Sequence, residues 1–115
     1  MTKDSIHFDP YQTQRVKRAV IDAATSGDNS IVSAVTGKKI RVLSVVLVSA
    51  GTVTVRFESG AGGTALTGQL TLAANVGFSS GYSPVGHFET AAGAALNLEL
   101  SGAVSVDGWI VYVEA

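Results

Sequence analysis

Apolar and polar residues alternate along much of this chain with a period of two, which is the pattern of a half-buried β-strand. In Thr52–Glu58 and Ala95–Ser101, every second side chain is valine, phenylalanine or leucine. Each segment therefore predicts a strand with one dry face and one wet face. The alternation places Glu58 and Glu99 on the wet faces.

Two longer segments are apolar at most positions. Ile40–Ala50 is rich in β-branched residues and predicts a central strand that is covered on both faces. Ser49–Gly51 predicts a tight hairpin leading directly into Thr52–Glu58. Val104–Val113 predicts the closing strand, and Gly108 falls where its alternation slips, which indicates a β-bulge.

Shorter segments complete an all-β pattern, because glycine-rich turns separate further apolar runs. These weaker strands are predicted at Lys17–Ala23, Ser30–Val35, Gln69–Leu72, Val76–Ser80 and His87–Thr90. About eight strands without a firm helix favour an antiparallel β-sandwich of jelly-roll type. We expect this domain to span residues 16–115 and to follow an extended N-terminal arm, residues 1–15.

Residues 10–24 admit two interpretations. A helix there would begin at an Asp-Pro pair and would carry apolar residues at helical spacing. A strand from Lys17 is favoured, because Val20 and Ile21 are β-branched and the SGDN sequence that follows is typical of a turn.

Composition restricts the class of protein. The chain has 115 residues, of which 46% are hydrophobic and 15% charged, so we expect one ordered domain. It contains no cysteine, which excludes disulfides and thiolate metal sites. The N-terminal segment lacks the apolar core of a signal peptide. Residues 59–88 are uncharged but are interrupted by polar residues, so no membrane span is expected.

The net charge of −1 conceals an uneven distribution. All eight basic residues and four of the nine acidic ones lie in residues 1–56, whose net charge is +4, whereas residues 57–115 carry −5. Two explanations are open. Folding can interleave the two halves and cancel the difference, or the halves can attract charged partners or other copies of the chain.

The GFSSG sequence around Ser79 matches the G-x-S-x-G motif of serine hydrolases, and His87 and Glu89 follow it. That motif requires a strand that turns sharply into a helix, whereas Pro84 and Gly86 oppose a helix here. The order of serine, histidine and acid also differs from the hydrolase order. We therefore interpret Ser79 as a polar residue on the wet face of a strand, and we expect no enzymatic activity.

Other possible binding motifs are weak. SGAGGTA resembles part of a dinucleotide fingerprint, but no helix follows it. His7 and His87 lack carboxylates at ligand spacing, so neither a metal nor a cofactor is expected. The basic clusters at 15–18 and 38–41 could contact a phosphate backbone, but the net charge of −1 and the small number of interleaved aromatic residues argue against nucleic-acid binding. Glycan binding would require exposed aromatic residues, for which the candidates are Tyr82, Phe88 and Trp109.

The run GKKIRVLSVVLVSAGTVTVRFESG, the segment YSPVGHFET and the closing sequence GWIVYV together resemble a group of small bacteriophage proteins. The similarity covers residues 16–115, and the closing strand also resembles trimeric jelly rolls of the tumour-necrosis-factor type. The resemblance implies a virion structural protein made in the host cytoplasm, such as a capsid decoration or cement protein. It also implies no catalytic residues. A tail tip or fibre module that binds host glycan is the alternative.

These considerations predict a homotrimer that binds the major capsid protein or other virion proteins, with no nucleic acid and no membrane among its partners. The expected oligomer interface comprises residues of the closing strand, namely Trp109, Val111, Tyr112 and Val113. Two interpretations of the N-terminal arm are open. It is a loose tail, or it docks on the capsid or on the acidic half of an adjacent subunit through apolar anchors and adjacent basic residues, namely Ile6, Phe8, Tyr11, Arg15, Lys17 and Arg18.

Overall fold

The computed structural model describes residues 15–115, which form two antiparallel β-sheets packed face to face. Within this range there are ten strands: β1 (Lys17–Ala23), β2 (Gly27–Val32), β3 (Ile40–Ser49), β4 (Val53–Ser59), β5 (Thr64–Ala65), β6 (Leu70–Leu72), β7 (Gly77–Ser80), β8 (Phe88–Glu89), β9 (Leu96–Leu100) and β10 (Val106–Glu114). The predicted all-β sandwich is confirmed. None of the described residues belongs to a helix long and apolar enough to cross a membrane.

The first sheet has the strand order β1-β10-β3-β7, and β8 pairs with β3 beyond the end of β7. The second sheet has the order β2-β9-β4-β5, and β6 pairs with β4. All pairs are antiparallel. Strands that are adjacent in sequence therefore often lie in different sheets, and the two longest strands, β3 and β10, are neighbours in the middle of the first sheet.

The core lies between the two sheets and is built from the apolar side of the alternating pattern. Phe57 of β4 is completely buried, and its ring lies 5.2 Å, centroid to centroid, from that of Phe88 in β8. The pair joins the two sheets across the sandwich, because β4 and β8 belong to different sheets. Burial of the aliphatic side chains around them supplies the main driving force for folding.

The alternation located most strands within a few residues. The strand prediction for Lys17–Ala23 is confirmed, so the helix alternative for residues 10–24 is excluded where the chain is described. The predicted strand at Ser30–Val35 lies earlier, at Gly27–Val32. The two-residue strand β5 was not predicted, because so short a segment shows no alternation.

The predicted hairpin at Ser49–Gly51 is wrong. β3 and β4 lie in different sheets, so residues 50–52 cross from one sheet to the other. The crossing is held by the Ala50 amide, which donates to the Ser105 carbonyl at 2.8 Å, and by Ser49 Oγ, which donates to the Ala73 carbonyl at 2.9 Å. A short glycine-containing connection fits a hairpin and such a crossing equally well.

The predicted bulge at Gly108 is also misplaced. Gly108 pairs in register with Ile21 on one side and Leu47 on the other. The irregularity falls instead between Val111 and Tyr112, where the pairing with β3 shifts. Gly108 serves a different purpose: a Cβ atom there would overlap the carbonyl oxygen of Val46. Glycine thus permits the close approach of β10 to β3.

The prediction that β3 is covered on both faces is wrong for the part of the strand around Val46 and Val48. Its inward side chains, among them Val45 and Leu47, are buried in the core. On the opposite face Val46 is half-buried, and 48% of Val48 is exposed. The apolar side chains of β3 that do not enter the core therefore lie on the outer face of the first sheet.

Candidate functional site

The outer face of the first sheet carries a row of apolar side chains, which we call the apolar row. The strand register places Val20, Trp109 and Val46 side by side on three adjacent strands, and Ser79 of β7 ends the row. Val20 is 68% exposed and Trp109 39% exposed. Large apolar side chains that share one face of a sheet and remain exposed are typical of a surface that contacts another protein.

Charged groups flank the apolar row on both sides. Toward one end, the Arg18 guanidinium lies over the Trp109 ring, 5.3 Å from its centroid. Toward the other end, Asp22 and Asp107 are directly opposite each other on β1 and β10, and both are exposed. Like charges in this arrangement repel each other within one chain. A cation from another molecule would remove that repulsion.

An open groove of about 380 Å³ adjoins the apolar row between β3 and β7, and Val48 and Ser79 contribute to its lining. Ser79 is exposed on strand β7, as its interpretation as a wet-face residue requires. It lies within a strand and not at a turn into a helix. His87 Nε2 lies 2.7 Å from the Gly81 carbonyl oxygen, which holds the ring against its own loop.

Glu89, the third residue of the hydrolase-like pattern, belongs to a cluster of ion pairs. Its two carboxylate oxygens accept from Arg41 Nε at 2.9 Å and from Lys39 Nζ at 3.2 Å. The hydrogen bond from Arg41, supported by Lys39, holds the pKa of Glu89 below its ordinary value. A carboxylate stabilised in this way is a weak base.

The four residues of the predicted oligomer interface divide into two pairs. Trp109 and Val111 lie on the outer face of the first sheet. Tyr112 is 9% exposed and packs in the core, and Val113 is only 2% exposed. The interface prediction is therefore corrected for Tyr112 and Val113, because side chains buried within one chain offer no surface to a second.

The predicted docking arm falls largely outside the described residues, which begin at position 15. Ile6, Phe8 and Tyr11 thus lie outside them. Arg15 is exposed just before β1, whereas Lys17 donates to Glu114 Oε2 at 3.0 Å within the same chain. Lys17 is therefore engaged by its own chain and not held free for an acidic neighbour.

Ion pairs among the described residues compensate much of the charge difference between the two halves of the sequence. Each joins a basic residue of the first half to an acidic residue of the second: Lys17–Glu114, Lys39–Glu89, Arg41–Glu89, Arg56–Glu58 and Arg56–Glu99. Folding thus interleaves the two halves, as the first of the two explanations requires.

The three aromatic candidates for glycan binding differ in how much of each side chain is exposed. Phe88 is half-buried and stacks against Phe57 in the core. Tyr82 remains 55% exposed in the loop after β7, and Trp109 lies in the apolar row. Phe88 is therefore removed from this set, and Tyr82 and Trp109 remain.

A cluster of acidic residues on the second sheet was not anticipated from the sequence. Asp28, Glu58 and Glu99 come from β2, β4 and β9, and one carboxylate oxygen of each lies within 4.8 Å of the others. The alternation placed Glu58 on a wet face, but its side chain is completely buried. Only the pairing of three strands brings these residues together, so no local signal could have revealed them.

Arg56 pairs with two members of this acidic cluster. Its guanidinium lies 2.7 Å from Glu58 Oε2, and its Nε lies 2.9 Å from Glu99 Oε1. Burial raises the pKa of Glu58, and the contact with Asp28 raises it further, while Arg56 acts in the opposite direction. The net direction is upward because water is excluded from this carboxyl group.

Comparisons with family models, with curated proteins and with solved structures give no match for this chain. Its function is therefore inferred from the apolar row and from the sequence resemblance.

Proposed function

We propose that this protein is a non-enzymatic structural component of a bacteriophage virion, most specifically a decoration or cement protein that binds and stabilises the head shell. The observation that carries the assembly part of this proposal is the apolar row on the outer face of the first sheet. A protein that acts by assembly needs an exposed apolar surface on a rigid scaffold, and the central strands of the sandwich present one. The sequence resemblance supplies the virion context.

The strand order supports a jelly-roll topology. If β5 and β6 are taken as one interrupted strand beside β4, and β7 and β8 as another beside β3, each sheet has four strands. The chain then alternates between sheets over β1 to β4 and again from β7 and β8 to β10. Two interlocked four-stranded sheets of this kind are the architecture of a jelly roll.

The occupant of the apolar row is a further copy of this chain, in a homotrimer with β10 near the axis. Charge complementarity favours this assignment. Arg18 lies toward one end of the outer face, and the repelling pair Asp22 and Asp107 lies toward the other. In a ring of three copies, the Arg18 side of this face in one chain can meet the Asp22–Asp107 side in the next, which is a head-to-tail contact between complementary charges.

The copy number of the protein in purified particles tests the proposed location. A shell-binding protein should be present at on the order of hundreds of copies per particle, since a closed shell repeats its binding site by symmetry. Quantitative mass spectrometry against the major capsid protein measures this ratio. A count between a few copies and some tens would favour the tail tip or fibre alternative, in which Tyr82 and Trp109 would contact host glycan. Absence from particles would contradict both assignments.

The N-terminal residues are proposed to dock the domain on the capsid. Deletion of residues 1–14 should leave the thermal midpoint within a few degrees, because the described sandwich contains the core. Binding to undecorated particles should weaken by at least about tenfold, since a few apolar anchors usually dominate an interface. A binding assay with particles, repeated at increasing salt, measures the loss.

Two full-length variants test whether particle binding depends on the apolar anchors or only on the length of the N-terminal segment. Replacing Ile6, Phe8 and Tyr11 with alanine should reproduce the effect of the deletion. Replacing three polar residues of the same segment with alanine should leave binding unchanged; these are Ser5, Gln12 and Thr13. Undiminished decoration by the truncated protein would rule out a docking role for residues 1–14.

A further inference from the structure

The acidic cluster of the second sheet holds more negative charge than the chain itself compensates. Its three carboxylates are neighbours in space, and Arg56 is the one basic side chain among residues 15–115 that forms ion pairs with them. With all groups ionised, the cluster and Arg56 together carry a net charge of −2. A divalent cation would neutralise this charge.

One carboxylate oxygen of Glu58 has no hydrogen-bond donor among the described residues. One of its oxygens, Oε2, is held by Arg56, whereas Oε1 is buried and has no hydrogen-bond partner. A buried carboxylate oxygen without a partner costs free energy, because it has lost its water and gained nothing in return. Either a cation bound to Oε1 or a proton shared with Asp28 would remove this cost.

The other two acidic residues are arranged in a similar way. Asp28 Oδ2 accepts a hydrogen bond from the Gly62 amide at 2.8 Å, and Glu99 Oε1 accepts from Arg56. In each carboxylate, one oxygen therefore accepts a hydrogen bond from a nitrogen donor of the chain, and the second oxygen can bind another ligand. The donor from Gly62 also fixes the turn between β4 and β5 beside the cluster, and Gly62 has a φ of 63°, which favours glycine.

We propose that Asp28, Glu58 and Glu99 form a calcium-binding site that ties together strands β2, β4 and β9. Carboxylate oxygens are the ligands that calcium prefers, and calcium tolerates irregular coordination. Oxygens bound to one calcium ion at about 2.3–2.6 Å can be no more than roughly 5 Å apart, and the three carboxylates meet this limit. Magnesium is a poorer match, since it requires shorter bonds and near-ideal octahedral geometry.

Calcium titration of the full-length protein, first stripped with a chelator, tests the site. Isothermal titration calorimetry should detect one calcium ion per chain. Free calcium at about 100 times the Kd should raise the thermal midpoint by roughly 10 °C, because the ion binds only the folded chain. Magnesium at the same concentration should produce a smaller shift. Absence of both binding heat and a thermal shift at millimolar calcium would overturn the proposal.

Glu58→Gln is the decisive variant. Its amide oxygen can accept from Arg56 and its amide nitrogen can donate to Asp28, so the variant should fold without calcium at least as stably as the original chain. It should lose the calcium-dependent rise of the thermal midpoint. If instead Glu58 is simply protonated and shares its proton with Asp28, neither protein will respond to calcium, and the proposal fails.

Glu89→Gln provides the matched control. It removes a carboxylate of similar exposure to Glu99 from an ion-pair cluster on the other sheet. This variant should keep the full calcium-dependent shift, whatever it does to stability in the absence of calcium. Full calcium binding by Glu58→Gln, or loss of binding in Glu89→Gln, would place the ion elsewhere and contradict the assignment.

Discussion

Replacing Val20 with lysine and Trp109 with glutamate in one chain should convert the assembled protein into a monomer. Both residues lie in the apolar row, and their removal places two charges where apolar contact between copies is proposed. The two positions are directly opposite each other on β1 and β10, so the new side chains form a cross-strand pair of opposite charge that preserves the pairing of the strands. The fold should therefore survive.

Light scattering after size-exclusion chromatography measures the outcome. The original chain should elute at about 35 kDa, three times the chain mass, and the double variant at the 11.8 kDa of one chain. Thr71→Glu adds a charge to an exposed position of the second sheet and should leave the assembly intact. A monomeric original chain at micromolar concentration, or an unchanged mass for the double variant, would contradict assembly through this surface.

Among glycine-to-alanine substitutions in β10 and its neighbouring turns, Gly108→Ala should lower the free energy of unfolding the most. The new Cβ atom would overlap the Val46 carbonyl oxygen and would approach the Leu47 Cα to 2.8 Å. These are backbone atoms of a central strand and cannot move aside as a flexible side chain would. We expect a loss of about 3 kcal/mol or more in the free energy of unfolding.

Gly102→Ala is the matched control for this effect. A Cβ atom at Gly102 would meet no heavy atom within 4 Å, so the substitution should change stability by less than about 1 kcal/mol. Chemical denaturation of the two variants and the original chain gives the comparison. Equal midpoints for all three would show that β10 does not approach β3 as closely as described. Because the strand pair also supports the apolar row, Gly108→Ala should weaken assembly as well.

Of the apolar row, only Trp109 was assigned to an interface from the sequence. Trp109 and Val111 were assigned to an interface because the closing strand is apolar at consecutive positions, and both lie on the outer face. The same reasoning failed for Tyr112 and Val113. A run of apolar residues does not reveal which of them the rest of the chain will cover, and the register shift after Val111 interrupts the simple alternation at that point.

The acidic cluster, in contrast, could not be predicted from the sequence. Asp28, Glu58 and Glu99 are separated by at least 30 residues along the chain. Asp28 stands in a predicted turn, and Glu58 and Glu99 stand on the predicted wet faces of two strands. Their proximity depends on β9 pairing with both β2 and β4. The burial of Glu58 likewise contradicts the alternation, because that pattern describes the two sides of a strand and not the loops and neighbours that cover them.

The sequence by itself determined the type of structure and the positions of its strands. Alternation and glycine turns are local properties, since successive side chains of a strand point to opposite faces whatever the strand pairs with. Only the tertiary structure decided the partners. It placed β3 and β4 in different sheets, turned Val46 and Val48 outward, and joined three distant carboxylates around one buried oxygen. These features depend on contacts between residues far apart in the chain, where packing of the whole molecule selects one pairing among several that local sequence allows.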